Sequence, residues 1–273
     1  MKQLAFAKVN LTLDVLHKRA DGYHALSTVM ASIDLYDELE LDFGPAVSVE
    51  ADFPLPENSA VFRAASGYAR LAPGCGARIG IKGRIPSEAG LGGSSADAAG
   101  ALLAMQAHYG ALGEEALFAL AASVGADVPF CMKGGLALCE GVGERITPLP
   151  PVPLWLIVAK KGKGISTAEL FAALRPPYAP PRSRGAVSAL RAGDRRALVA
   201  SISNGLTEQA CRMAGDIPLL LARMRQAGAA AASMTGSGSA VFGVFQSKAE
   251  ADAALPLFAD CDFARVCGVN IKP

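Results

Sequence analysis

The stretch Gly90-Leu91-Gly92-Gly93-Ser94-Ser95 sets three glycines and two hydroxyls directly before an alanine-rich segment. A phosphate chain needs many N–H donors at close range and little side-chain bulk, and glycines let backbone approach an anion. A helix starting near Ser94 would add unpaired N–H groups and the positive end of its dipole. The hydroxyls of Ser94 and Ser95 could then contact phosphate oxygens. The same residues equally suit a plain strand-to-helix connection in which Ser94 and Asp97 form a capping pair. Neither common nucleotide template is met, because no Lys follows the glycines and Gly-x-Gly-x-x-Gly is missing here.

Other segments carry chemistry more quietly. Thr235-Gly236-Ser237-Gly238 reads either as backbone brought close to a ligand or as a tight link between strands. Asp127, two residues before Pro129, reads on its own as a helix cap. Lys8 and Asn10 share one face of a strand pattern, where a lysine is ordinarily exposed. Asp21-Gly22-Tyr23-His24 is turn chemistry bearing a stacking ring and an imidazole. The basic run Lys160–Lys163 reads as a solvated loop, or as a contact for a diphosphate.

The elements that must hold these groups follow from periodicity. Strand patterns cover Leu4–Leu16, Leu26–Ile33, Asp37–Phe43, Val47–Ala51 and Ala77–Ile85. In the first, Leu11, Leu13 and Val15 lie on one face and Asn10, Thr12 and Asp14 on the other. Helices are expected from a cap at Asn58 or Ser59 to Leu71, over Ala96–Tyr109, and over Glu114–Val124. Four prolines within residues 148–153 suggest a stiff linker, dividing the chain into domains 1–150 and 151–273. Beyond it, strands at Leu154–Ala159, Ala229–Met234, Ala240–Phe245 and Phe263–Val269 alternate with helices at Pro218–Ala227 and Lys248–Phe258. This mixture indicates an α+β fold in two domains.

Composition bounds the function classes. Hydrophobic residues form 51% and charged residues 19% of the 273, the balance of a globular chain. A net charge of +1 gives no reason to expect nucleic acid or an anionic membrane as partner. Six scattered cysteines lack Cys-x-x-Cys spacing and read as reduced thiols of a cytoplasmic protein. No apolar run is long enough to span a bilayer. Monomer and homodimer are both compatible with the sequence.

Three motifs in order carry a resemblance to a known family. Pro86 through Ala96 resembles the phosphate loop of the galactokinase, homoserine kinase, mevalonate kinase and phosphomevalonate kinase superfamily. Ala5 through Leu11 resembles its first motif, and Met234 through Phe242 its third. The resemblance implies a split β-α-β N-terminal domain, a ferredoxin-like C-terminal domain, and an active site in the cleft between. It also implies ATP and Mg2+, with the metal ligands unassigned.

Ala7-Lys8-Val9-Asn10-Leu11, Arg19 through His24 and Gly125 through Phe130 resemble the branch whose acceptor is a methylerythritol linked to cytidine diphosphate, in the non-mevalonate isoprenoid pathway. By this resemblance Asp127 is the general base, and Lys8 orients the nucleophile and offsets charge on the phosphoryl group. Pro86, Gly90, Leu91, Gly92, Gly93, Ser94, Ser95 and Ala96 meet the ATP phosphates, and Asn58 lies near the adenine. Asn10, Thr167 and the Thr235, Gly236, Ser237, Gly238 loop meet the acceptor, while Tyr23, His24 and Phe171 hold its cytosine. Relatives commonly have Lys directly before Arg-Ile-Pro, where this chain has Gly83 before Arg84-Ile85-Pro86, so no adenine contact is assigned to Lys82 or Gly83. A kinase for a mevalonate- or homoserine-like alcohol, and a silent nucleotide-binding member, are the competing readings.

Overall fold

Residues 1–269 are described by the structure, a computed structural model. Two long strands, β1 (Lys2–Lys18) and β2 (His24–Gly44), pair antiparallel across the turn that carries Tyr23. The apolar pattern suggests two strands separated at residues 34–36, yet β2 runs unbroken through both. Two acids, one in this gap and one just after it, accept hydrogen bonds from distant backbone. Asp34 takes the Gly268 N–H at 2.8 Å, and Asp37 takes those of Arg84 and Ile85 at 2.5 and 2.8 Å.

Opposite β1, the other edge of β2 is long enough for two partners. β3 (Ser48–Ala51) and β4 (Gly76–Lys82) extend the sheet at one end, and β5 (Leu136–Gly141) with β6 (Arg145–Pro148) at the other. Four helices cover one face: α1 (Ala60–Leu71), α2 (Gly93–Tyr109), α3 (Glu114–Val124) and α4 (Val128–Lys133). Ser59 caps α1 by accepting the Phe62 N–H at 3.3 Å, an interaction worth ~1 kcal/mol. Ala96, Ala98, Ala99, Ala101, Leu102, Ala104 and Met105 of α2 are all buried. Small side chains over most of its surface let this helix lie deep against the sheet.

After Pro148 the chain enters β7 (Trp155–Lys160), then α5 (Thr167–Ala173), α6 (Ser183–Ala192) and α7 (Arg195–Ser201). A two-residue strand, β8 (Ser203–Asn204), is followed by α8 (Thr207–Met213), α9 (Asp216–Gln226), β9 (Ala231–Met234), β10 (Val241–Phe245), α10 (Lys248–Ala254) and β11 (Phe263–Gly268). The second sheet is antiparallel in the order β11-β7-β10-β9, the arrangement of a ferredoxin-like fold. Along β7, Leu156 and Val158 join Val9, Leu11 and Ile33 in the core between the sheets. Ile157 and Ala159 join Ala210, Leu220, Met224 and Ala251 under the outer helices.

Both sides of β1 are therefore covered. Asn10, Thr12 and Asp14, the polar face of the alternation, are 1%, 0% and 4% exposed. The covering elements are polar at these points. Asp14 accepts the Arg182 and Ser183 N–H groups at 2.9 and 2.8 Å, and Thr12 meets the Ser183 hydroxyl at 2.8 Å. β8 adds to the same sheet by pairing in parallel with Thr12 and Leu13.

Candidate active site

Lys8 is 3% exposed, and a buried ammonium needs partners for its charge. It has two: its Nζ lies 3.3 Å from Asp127 Oδ2 and donates to Asn10 Oδ1 at 2.8 Å. The Asp127 side chain is 27% exposed against 4% for Lys8, so the acid faces the open side and the lysine backs it. Asp127 precedes α4 as a cap would, but its backbone is already helical and its side chain makes no capping hydrogen bond. The carboxylate is left to Lys8. Behind the pair, burial raises the Cys131 thiol far above its ordinary range and Cys139 to about 12, with the Asp127 charge adding to both. Both stay neutral in a dry floor.

Asn10 joins this pair to the second glycine loop. Its Oδ1 accepts the Gly236 N–H at 2.9 Å, and its own N–H donates to Thr235 Oγ1 at 3.1 Å. Asn10 Nδ2 donates to Thr28 Oγ1 at 2.8 Å, which fixes the amide's orientation. Asn204 supports the loop from behind, donating to the Met234 and Gly236 carbonyls at 2.9 and 2.8 Å. Sequence reasoning missed Thr28 and Asn204; an Asn before Gly205 reads only as a turn.

The two glycine loops touch. Gly90 has φ +71°, and a Cβ there would lie 2.2 Å from the Thr235 carbonyl oxygen, so no side chain fits. Gly92, with φ +74°, occupies the N-cap position of α2 and packs on the Lys8 side chain. The helix starts at Gly93, three residues before the alanine run, and no side chain caps it. Ser94 is exposed and Asp97 points inward, so the Ser94–Asp97 capping pair is not formed. The hydrogen-bond ladder opens with Ala96 N–H donating to the Gly92 carbonyl at 2.8 Å, and the earlier N–H groups face outward as at any helix start. Leu91 and Ala96, 1% exposed each, are anchors in the core. Lys8 N–H donates to the Leu91 carbonyl at 2.9 Å, tying β1 to the loop. Pro86 is half-buried where the loop begins. Asn58 is exposed, and no hydrogen bond among the described residues links it to these groups.

A second cluster lies at the start of β2. The His24 ring is 5.3 Å from Phe171 and 5.9 Å from Tyr178, the latter edge-on. Burial, with the Lys18 charge adding to it, lowers the His24 pKa, which keeps the imidazole neutral near pH 7. Tyr178 was not legible from sequence, sitting among prolines with no periodic pattern. Tyr23 is 67% exposed and stands apart from these rings. Thr167 and Ser237 hydroxyls meet at 2.7 Å, joining α5 to the second glycine loop. The basic run is partly neutralised: Lys161 pairs with Asp260 at 2.6 Å, and the Gly162 N–H donates to Asp262.

Family models match both halves of the chain, that of the GHMP kinases N terminal domain over residues 59–135 and that of the GHMP kinases C terminal over 186–256. The chain belongs to the GHMP kinase family. Among GHMP kinases it is similar to 4-diphosphocytidyl-2-C-methyl-D-erythritol kinase of Pelotomaculum thermopropionicum, at 42% identity over 88% of both chains. The kinase of the same name from Moorella thermoacetica is 39% identical over 88% of both chains. A crystal structure of 4-(cytidine 5'-diphospho)-2C-methyl-D-erythritol kinase superposes with a TM-score of 0.86 at 37% identity, covering 99% of this chain and 100% of that one. Homoserine kinase from Cytophaga hutchinsonii, at 19% identity and a TM-score of 0.79 over 99% and 96%, shares the GHMP fold. No helix among the described residues is long and apolar enough to cross a membrane.

Proposed function

We propose that this chain transfers the γ-phosphoryl group of ATP to the 2-hydroxyl of 4-diphosphocytidyl-2-C-methyl-D-erythritol. The observation that carries this reading is the buried Lys8 bridging Asp127 and Asn10 beside the uncapped start of α2. The helix start and glycine backbone receive the phosphates. His24, Phe171 and Tyr178 form an aromatic cluster suited to a nucleobase, and a neutral imidazole can both donate to and accept from a base edge. The names of the relatives supply the acceptor.

In the transfer, the acceptor oxygen bonds to the γ-phosphorus as the bond from that phosphorus to the β,γ-bridging oxygen breaks, releasing ADP. The hydroxyl proton passes to the Asp127 carboxylate. Lys8 holds that carboxylate in place and offsets negative charge on the moving phosphoryl group. Magnesium favours hard oxygen ligands, and the exposed Ser94 hydroxyl beside the phosphate site is a donor that would suit it. When bound, the ion neutralises charge on the β- and γ-oxygens.

The test is ADP release with the cytidine-linked acceptor, with plain methylerythritol, mevalonate and homoserine as comparisons. Turnover confined to the cytidine-linked acceptor is the expected result; indifference to cytidine would defeat the substrate assignment. Asp127→Asn should lower kcat by ~10²–10⁴-fold while the KM for ATP stays within about threefold. Unchanged kcat would remove Asp127 from its role.

A further inference from the structure

Two buried carboxyls stand behind the phosphate loop and take no part in the transfer step. Asp37, on β2, is 2% exposed, and Asp97, in the first turns of α2, is 3% exposed. Each carboxyl feels the charge of the other, and Gly93, one helical turn before Asp97, lies beside Asp37. Asp37 Oδ1 also accepts the N–H groups of Arg84 and Ile85, at 2.5 and 2.8 Å, where the chain leaves β4 for the loop. Asp37 Oδ2 would lie 4.0 Å from a Cβ placed on Gly93, the first residue of α2. Asp97 Oδ1 is buried without a hydrogen-bond partner. Two carboxylates in contact and out of water cannot both be ionised, and a bare oxygen suits the carbonyl of a protonated acid.

We infer that Asp37 and Asp97 share one proton and together act as a clasp that positions the phosphate loop for ATP. Asp37 is the anion, receiving two backbone N–H groups and the Asp97 O–H. Through it, the approach to the loop and the start of α2 are fixed to β2 on either side of the phosphate site. Both residues are positioning groups: each acts on the nucleotide through backbone. Burial, then the Asp37 charge, raises the Asp97 pKa to about 8. Above that pH the clasp holds two like charges and loses its donor.

The charges around the pair do not relieve this. Asp52 adds a further negative charge from the segment after β3. The Cys131 thiol on α4 is neutral and feels the Asp97 charge. The Arg84 guanidinium is engaged by Glu38. Lys8 and Asp127 pair with each other.

The clasp rests on the ATP reading only for its kinetic consequence, so the test has two arms. The full chain and its Asp97→Asn and Asp97→Ala variants are compared near pH 7 and pH 9. The first arm measures KM for ATP and kcat; the second measures hydrogen exchange of residues 84–95, corrected for intrinsic rates. In the native chain KM should rise about tenfold between the two pH values, the equivalent of losing ~1.4 kcal/mol of positioning, with kcat much less changed. Exchange in the segment should rise in parallel. Asp97→Asn, whose amide donates to Asp37 at any pH, should keep a flat KM and steady protection. Asp97→Ala should show the high-pH behaviour already at pH 7.

Equal pH responses in the native chain and Asp97→Asn would overturn the proposal, as would an Asp97→Asn variant as impaired as Asp97→Ala. If Asp97→Ala does not fold, the comparison of the native chain with Asp97→Asn decides alone. If no acceptor is phosphorylated, the kinase reading fails and the exchange arm still judges the clasp.

Discussion

Lys8 and His24 are ordinary residues in the sequence and unusual ones in the structure. Nothing in the alternation of β1 shows that its polar face is covered, because the covering residues, Asp127, Ser183 and Thr235, lie more than a hundred positions away. Residue types and order made the phosphate loop legible; burial, which turns a strand lysine into the partner of one carboxylate, did not appear until the chain was folded. His24 makes the same point and allows a pH test. Its depressed pKa leaves it neutral through the physiological range. A group neutral in the binding-competent state loses that state only as pH falls through its folded pKa, which lies below the ordinary value of about 6.5. The KM for the cytidine-linked acceptor should therefore be flat from about pH 8 to pH 6.5 and climb at lower pH. His24→Gln, which cannot titrate, should raise KM throughout and abolish the acid limb. Acid limbs of equal size in both chains would remove His24 from base recognition.

Among the elements, legibility followed how far local pattern decides structure. α3 occupies Glu114–Val124, the residues its pattern indicates, because glycines stop it at both ends. The apolar pattern over β2 divides in two at residues 34–36, and the distant backbone groups served by Asp34 in that gap and Asp37 after it show what these acids do in an unbroken strand. α2 begins earlier than the alanine run suggests because Gly92, not Ser94, is its N-cap. The contact between the two glycine loops yields a sharp prediction. A methyl on Gly90 would sit 2.2 Å from the Thr235 carbonyl, and neither backbone can yield without disturbing the Asn10 hydrogen bonds. Gly90→Ala should lose about 2–4 kcal/mol of stability in urea unfolding and raise the KM for ATP. A fully stable variant with native KM would show that the loops are not packed as described.

At the scale of the molecule, the site exists because residues 127 and 235 are brought to the polar face of β1 that carries residue 8, and polar contacts hold that meeting in place. Burying carboxyls to fix backbone has a consequence for the whole chain's stability. Asp97 has a native pKa of about 8, raised by burial first and then by the Asp37 charge, against about 3.9 when unfolded. Between these values the native state holds a proton that the unfolded chain has released. Unfolding then releases a proton, so stability falls as pH rises across that window and levels off above it. The surface acid Asp260, held low by Arg223 and then Lys161, works in the opposite direction at much lower pH, where its contribution is lost as it gains a proton. Comparison with Asp97→Asn isolates the buried pair from such groups, since the amide carries no proton to lose. From about pH 5 to pH 8 the native chain should lose about 3–4 kcal/mol relative to that variant in urea midpoints at constant slope. Parallel stability curves would mean that Asp97 is ionised in the folded chain, and the buried pair would then need a cation that the described residues do not supply.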